Sequence, residues 1–216
     1  MDTETKIQWI VISVLAILLV YNGVRIYDTG NLSGKSVATG IGIVSALDIM
    51  PKGVPAVYGA ELGISYDDIN PKDAQSTQTT MQKLTQYEDM QLDSTTLERY
   101  VKIGSSIACE YCCGANTLVF SDGSRACGCA HSYAMRGLIK YLLTKHPEMT
   151  DLQILDEAAK WKVLFFPGPE QSKAAALKAS GIDYTNFANL ASNLYRGAET
   201  KQAAASSGSS SQVGNC

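Results

Sequence analysis

Apolar residues recur at helical spacing through most of the chain beyond residue 76. A helix is predicted from about Thr77 to Glu88, with Met81, Leu84 and Tyr87 on one side. Thr95-x-x-Glu98 has the form of a capping box, and Leu97, Tyr100, Val101, Gly104 and Ala108 follow it at helical intervals. Met135, Leu138, Ile139 and Leu142 make an i, i+3, i+4, i+7 stripe. That helix should stop near His146, because Pro147 disfavours helical backbone in the residue before it. Thr150-x-x-Gln153 opens another helix, whose buried face is Ile154, Leu155, Ala158, Trp161 and Phe165 and which Pro167-Gly168-Pro169 should end. A short helix can form from Lys173 to Ala179. Phe187, Leu190, Ala191 and Leu194 line a last one, with Gly197 as its C′ residue.

Two stretches break this period. Pro51, Gly53, Pro55, Gly59, Gly63 and Pro71 make Ile49 to Asp73 turn-rich. Leu118-Val119-Phe120 runs into Ser121-Asp122-Gly123-Ser124, a tight-turn signal, which predicts a small β-hairpin over residues 117 to 127.

At the other end the pattern has no polar face. Ile7 to Val20 is apolar apart from Gln8 and Ser13, and Ile7 to Tyr27 reaches the roughly 20 residues of a membrane span, with Trp9, Tyr21 and Tyr27 near its ends. No small-x-small cleavage site closes the stretch, so residues 1–27 read as a retained single-pass anchor that meets the bilayer through residues 7–27. The charges on its two flanks barely differ, and a short N-terminal flank is compatible with an extracytoplasmic domain. Residues 28–45, rich in glycine and small polar side chains, read as a flexible spacer. Within it, Thr29 to Ser36 superficially resembles a phosphate-binding loop, but Thr29 stands where glycine is needed and no strand precedes it. Beyond Ala198 the composition falls to Ala, Ser, Gly and Gln, predicting a disordered tail over 198–216. The expected fold is therefore mainly α: an anchor, then a small helical domain over 46–197 with one Cys-rich β-hairpin.

Charge excludes one function class. Twenty-one acids against 18 bases, with no basic patch, do not suit a nucleic-acid binder. The sequence does not name a protein partner.

The chemistry lies in the cysteines. Five of six fall between Cys109 and Cys129, as Cys109-Glu-Tyr-Cys112-Cys113 and Cys127-Gly-Cys129-Ala-His131. Thiolates beside an imidazole are soft metal ligands, and a turn between 117 and 127 would bring the two groups together. The stretch looks like a loose version of a zinc ribbon or knuckle, departing from it in the extra Cys113, the Cys-x-Cys spacing and the added histidine. The candidate ligands are Cys109, Cys112, Cys113, Cys127, Cys129 and His131. Six donors exceed the four of one zinc site. A structural zinc centre, a disulfide framework, and a thiol-redox, copper or iron–sulfur site all remain open, as does a metal on some cysteines with a disulfide between others. Cys127, His131 and Met135 would share one helix face, a set that suits Cu(I), although Met135 also belongs to the apolar stripe. Cys216, alone in the tail, could be an incidental thiol, an intermolecular bridge or a reach back to the cluster. Only two histidines are present, and no serine–histidine–acid set can be assembled, so the non-enzymatic reading leads.

Overall fold

A computed structural model describes residues 44–203, which lie within one compact unit. The expected anchor, the spacer up to residue 43 and Cys216 lie outside them. No described helix is long and apolar enough to cross a membrane.

The described chain is mainly helical and has no β-strand. Short α1 (Ala46–Ile49) and α2 (Gly59–Leu62) occupy the turn-rich segment. Four longer helices follow: α3 (Ala74–Thr85), α4 (Ser94–Ser105), α6 (Ala130–Lys145) and α7 (Asp151–Phe165), with the single turn α5 (Glu110–Cys113) inside the cysteine-rich stretch. Next come α8 (Pro167–Ala179), α9 (Phe187–Ala191) and α10 (Ala198–Ala203).

Side-chain caps fix the starts. Asp73 and Asp93 accept from the N–H groups of Ser76 and Thr96 respectively. The second of these corrects the expected box at Thr95 and Glu98: aspartate two residues earlier takes the cap, so α4 begins at Ser94. Thr150 and Gln153 do form a capping box at the start of α7.

Helix α6 is the centre of the domain. It packs against α3, α4 and α7, and from Ala134 to Leu143 every residue but Lys140 is buried. Gly137 permits the closest of these contacts, since a Cβ there would lie 2.1 Å from the carbonyl oxygen of Leu84 on α3.

Three further expectations change. Pro167 ends α7 but also starts α8 at once, so the short helix foreseen at 173–179 runs from Pro167. Proline at the first helical position loses no intrahelical hydrogen bond, and its fixed φ suits the turn. The last amphipathic helix is interrupted by extended backbone at Ser192, and Asn193–Tyr195 continues as a 3-10 turn. Ala198–Ala203, expected to be disordered, forms α10 and packs against α8.

The β-hairpin is also corrected. Residues 117–127 turn back through a single bridge between Val119 and Arg125. Phe120 N–H donates to the Ser124 carbonyl and Ala126 N–H to that of Leu118. Beyond this point the chain is claimed by other partners: Leu118 N–H donates to Gly104 and Ile107, and Arg136 takes the Leu118 and Cys127 carbonyls. No ladder can extend.

Candidate functional site

The two cysteine groups meet where α4 and α6 converge. After α4 the chain runs through buried Ile107 and Ala108 to Cys109, which precedes α5, and Gly114 closes that turn with φ 67°. The loop then comes back over α4, where Gly104 faces Val119 so closely that a Cβ would stand 2.8 Å from a valine methyl. Arg136, wholly buried, holds this return. Its Nε donates to Glu88 at 2.8 Å, and one terminal nitrogen donates to the carbonyls of Cys127 (2.8 Å) and Leu118 (3.2 Å). Arg125 pairs with Glu88 and Asp89 from outside. Both guanidinium groups lie against the Tyr133 ring, at 4.7 Å for Arg136 and 5.0 Å for Arg125.

The cysteines divide into two sets that share one member. Cys113 and Cys127 form a disulfide. Cys109, Cys112, Cys129 and His131 each place a donor atom within 4.8 Å of the other three, and Cys109, Cys129 and His131 are buried. Cys129 Sγ is also within 4.8 Å of the Cys113 and Cys127 sulfurs. Cys112 is itself disulfide-bonded, so its sulfur can serve as an anionic donor only after reduction. Of the six candidate ligands, then, four converge on one point, while Cys113 and Cys127 bond each other.

Cys129 is the most activated group. It caps the 16-residue α6, accepting from the Ser132 N–H at 3.4 Å, where the positive end of the helix dipole favours a thiolate. Cys109 Sγ lies 3.3 Å away. The Cys109 thiol donates to Cys129, which holds the Cys129 pKa well below the usual thiol range; hydrogen bonds from His131 and Ser132 act the same way. Cys109 is pushed up by that donation and then by burial. The pair shares one proton. The His131 ring is wedged between Phe165 and Phe166, each with its centroid 4.9 Å away, which fixes its orientation towards the sulfurs. Met135 is fully buried in the hydrophobic core, in keeping with its place in the apolar stripe.

Behind the sulfurs lies a set of buried charges that the sequence pattern does not reveal. Lys162 donates to both oxygens of Glu110, at 2.8 and 2.9 Å, and to the Ala191 carbonyl. Lys173 donates to the Ser192 carbonyl. Glu170, wholly buried, stands 3.5 Å from Lys162 but accepts no hydrogen bond, and burial raises its pKa to about 7. Glu157 is a second group that the sequence pattern does not single out. It accepts from the hydroxyls of Tyr58 (2.9 Å) and Tyr66 (2.5 Å), joining the first part of the domain to α7. His146 sits at the end of α6, as the sequence suggests, and pairs with Glu61 and Glu148.

The arrangement can bind a soft or borderline cation through sulfur and imidazole, and it places thiols beside a disulfide. No family model, curated protein or solved structure matches this chain.

Proposed function

We propose that this protein is a membrane-tethered metal-binding domain whose ion, zinc, is held by Cys109, Cys112, Cys129 and His131. The observation that carries the reading is the convergence of these four donors within 4.8 Å in a largely buried site. A tetrahedron with Zn–S bonds of about 2.3 Å has S···S edges of about 3.8 Å, so small side-chain adjustments complete the coordination. Three thiolates and one imidazole are a structural zinc set with no open position, which favours stapling over catalysis. With Met135 in the core, the face that would have suited Cu(I) loses its thioether. Residues 7–27 anchor the chain in the bilayer, with the domain on the extracytoplasmic side.

Metal content of the full-length chain, purified anaerobically with Cys112 reduced, tests the centre. About one zinc per chain is expected, with occupancy reduced at least about ten-fold in Cys109→Ser, Cys129→Ser and His131→Ala and unchanged in Cys113→Ser. A reduced chain that retains no metal, or full occupancy in Cys129→Ser, would refute it. Alkaline-carbonate extraction tests the anchor: the chain should stay in the pellet, and release to the supernatant would end that part of the reading.

A further inference from the structure

Four of the sulfurs form a contiguous line from solvent to core. Cys113 is exposed and bonded to buried Cys127. Cys129 Sγ is within 4.8 Å of both, and Cys109 Sγ lies 3.3 Å from Cys129. Thiol–disulfide exchange proceeds by attack of one sulfur on another through a mixed disulfide. Each transfer here needs a sulfur to move by less than about 3 Å, given a disulfide bond of about 2.05 Å.

We propose that Cys109, Cys129, Cys127 and Cys113 form an internal thiol–disulfide relay, passing two electrons between the buried Cys109/Cys129 pair and the Cys113/Cys127 pair, which reaches solvent through Cys113. In the first step the Cys129 thiolate attacks Cys113, the Cys113–Cys127 bond breaks, and Cys127 leaves as a thiolate. In the second, the Cys109 thiolate attacks Cys129 and expels Cys113. The product is a Cys109–Cys129 disulfide with two thiols at Cys113 and Cys127. The single proton of the Cys109/Cys129 pair leaves Cys109 as it attacks and passes to one of the two leaving thiolates, the other takes its proton from solvent, and no external oxidant is required. The exposed Cys113 gives small thiols and disulfides in solution their point of entry, which the buried pair lacks.

The relay has a consequence that rests on the metal reading above. Forming the Cys109–Cys129 bridge removes two of the four donors, so zinc and the relay compete for the same sulfurs. Zinc bound at the site draws the equilibrium towards the Cys113–Cys127 isomer.

The test uses the full-length chain under anaerobic conditions, after limited reduction that frees Cys112 and leaves one bridge among the other four sulfurs, metal-free or zinc-saturated and equilibrated with a catalytic amount of a small thiol. Acid quenching, alkylation with N-ethylmaleimide and fragmentation of linked peptides then locate the bridges. Metal-free protein should contain Cys109–Cys129 together with alkylated Cys113 and Cys127. Saturating zinc should lower that fraction at least ten-fold, and Cys113→Ser should abolish it. The relay is overturned if metal-free wild-type chain keeps Cys109 and Cys129 wholly alkylated beside an intact Cys113–Cys127 bridge. It is equally overturned if the Cys109–Cys129 bridge persists in Cys113→Ser. A metal-free chain that shows the exchange but binds no zinc supports the relay and removes the metal reading, so the two can fail separately.

Discussion

Glu170 shows how a single residue can carry a measurable signature without showing in the sequence pattern. It lies on α8, just after the Pro167-Gly168-Pro169 break and before the short helix read at 173–179, yet its carboxyl is wholly buried and without a hydrogen bond. Burial raises its pKa from the ordinary glutamate range to about 7, only partly offset by Lys162 and Lys173. The folded state therefore holds this proton more tightly than the unfolded chain does. Its contribution to stability is fully present below about pH 4.5, declines as pH rises, and is gone by about pH 7. The span corresponds to a cost on the order of 3 kcal/mol at neutral pH. Glu170→Gln, which keeps the shape and removes the charge, should be more stable than wild type at pH 7.5 and nearly equal to it at pH 4.5. Urea midpoints at the two pH values check this, and a difference independent of pH would show that Glu170 is charged and satisfied. The cysteines were legible for the opposite reason. Thiol and imidazole donors at short spacing in one stretch have few structural uses, whereas a lone glutamate declares its burial only when the fold closes over it.

At the scale of elements, the helices that the sequence shows best are those whose apolar stripe and cap are both local. The start of α7 and the end of α6 at His146 belong here. Where tertiary contacts decide, local signals mislead: the 117–127 turn has hairpin chemistry, but the Leu118 and Cys127 carbonyls are taken by Arg136 and the Leu118 amide by Gly104 and Ile107. The close approach of α3 and α6 was equally hidden, because a glycine within a helical stripe does not say what it faces. Gly137→Ala would force a methyl against the Leu84 carbonyl, 2.1 Å away, in the most buried helix of the domain. Helices cannot separate without opening the core around Met81 and Leu84, so a loss of about 3 kcal/mol or more is expected despite alanine's better helix propensity. Gly128→Ala is the control. It has nothing within 4 Å and no left-handed backbone, so its unfolding midpoint should stay within about 0.5 kcal/mol of wild type. Equal effects from both substitutions would mean that α3 and α6 are not in contact at Gly137.

For the molecule as a whole, the open issue is what the sulfur site holds together. From sequence, a marginal hairpin flanked by helices suggests that closing the site orders everything from Cys109 to Leu142. The structure divides that range in two. From Ala134 onward α6 is enclosed by α3, α4 and α7, and its stability derives from the common core. Residues 109–129 are enclosed only in part: Cys109, Leu118, Val119, Cys127 and Cys129 reach the core, and most of the others are exposed or half-buried. They are tied by the Cys113–Cys127 bridge, by the shared sulfur site and by the hydrogen bonds to Arg136 and Gly104. A disulfide spanning 14 positions limits the open loop by roughly 3 kcal/mol in the chain-entropy picture, equivalent to about a hundred-fold in local opening. Reduction, or Cys113→Ser, should therefore raise amide exchange about a hundred-fold across 109–129 while leaving Met135 to Leu142 unchanged. Chelation of a metal-loaded, reduced chain should act on the same window, since the donors at Cys109 and Cys129 border it. Hydrogen exchange resolved by peptide separates the cases. Loss of protection reaching Leu142 would make the site a staple for the core itself. Unchanged protection in 109–129 under both treatments would assign the order of that loop to Arg136 and the α4 carbonyls, leaving the cysteines free for chemistry alone.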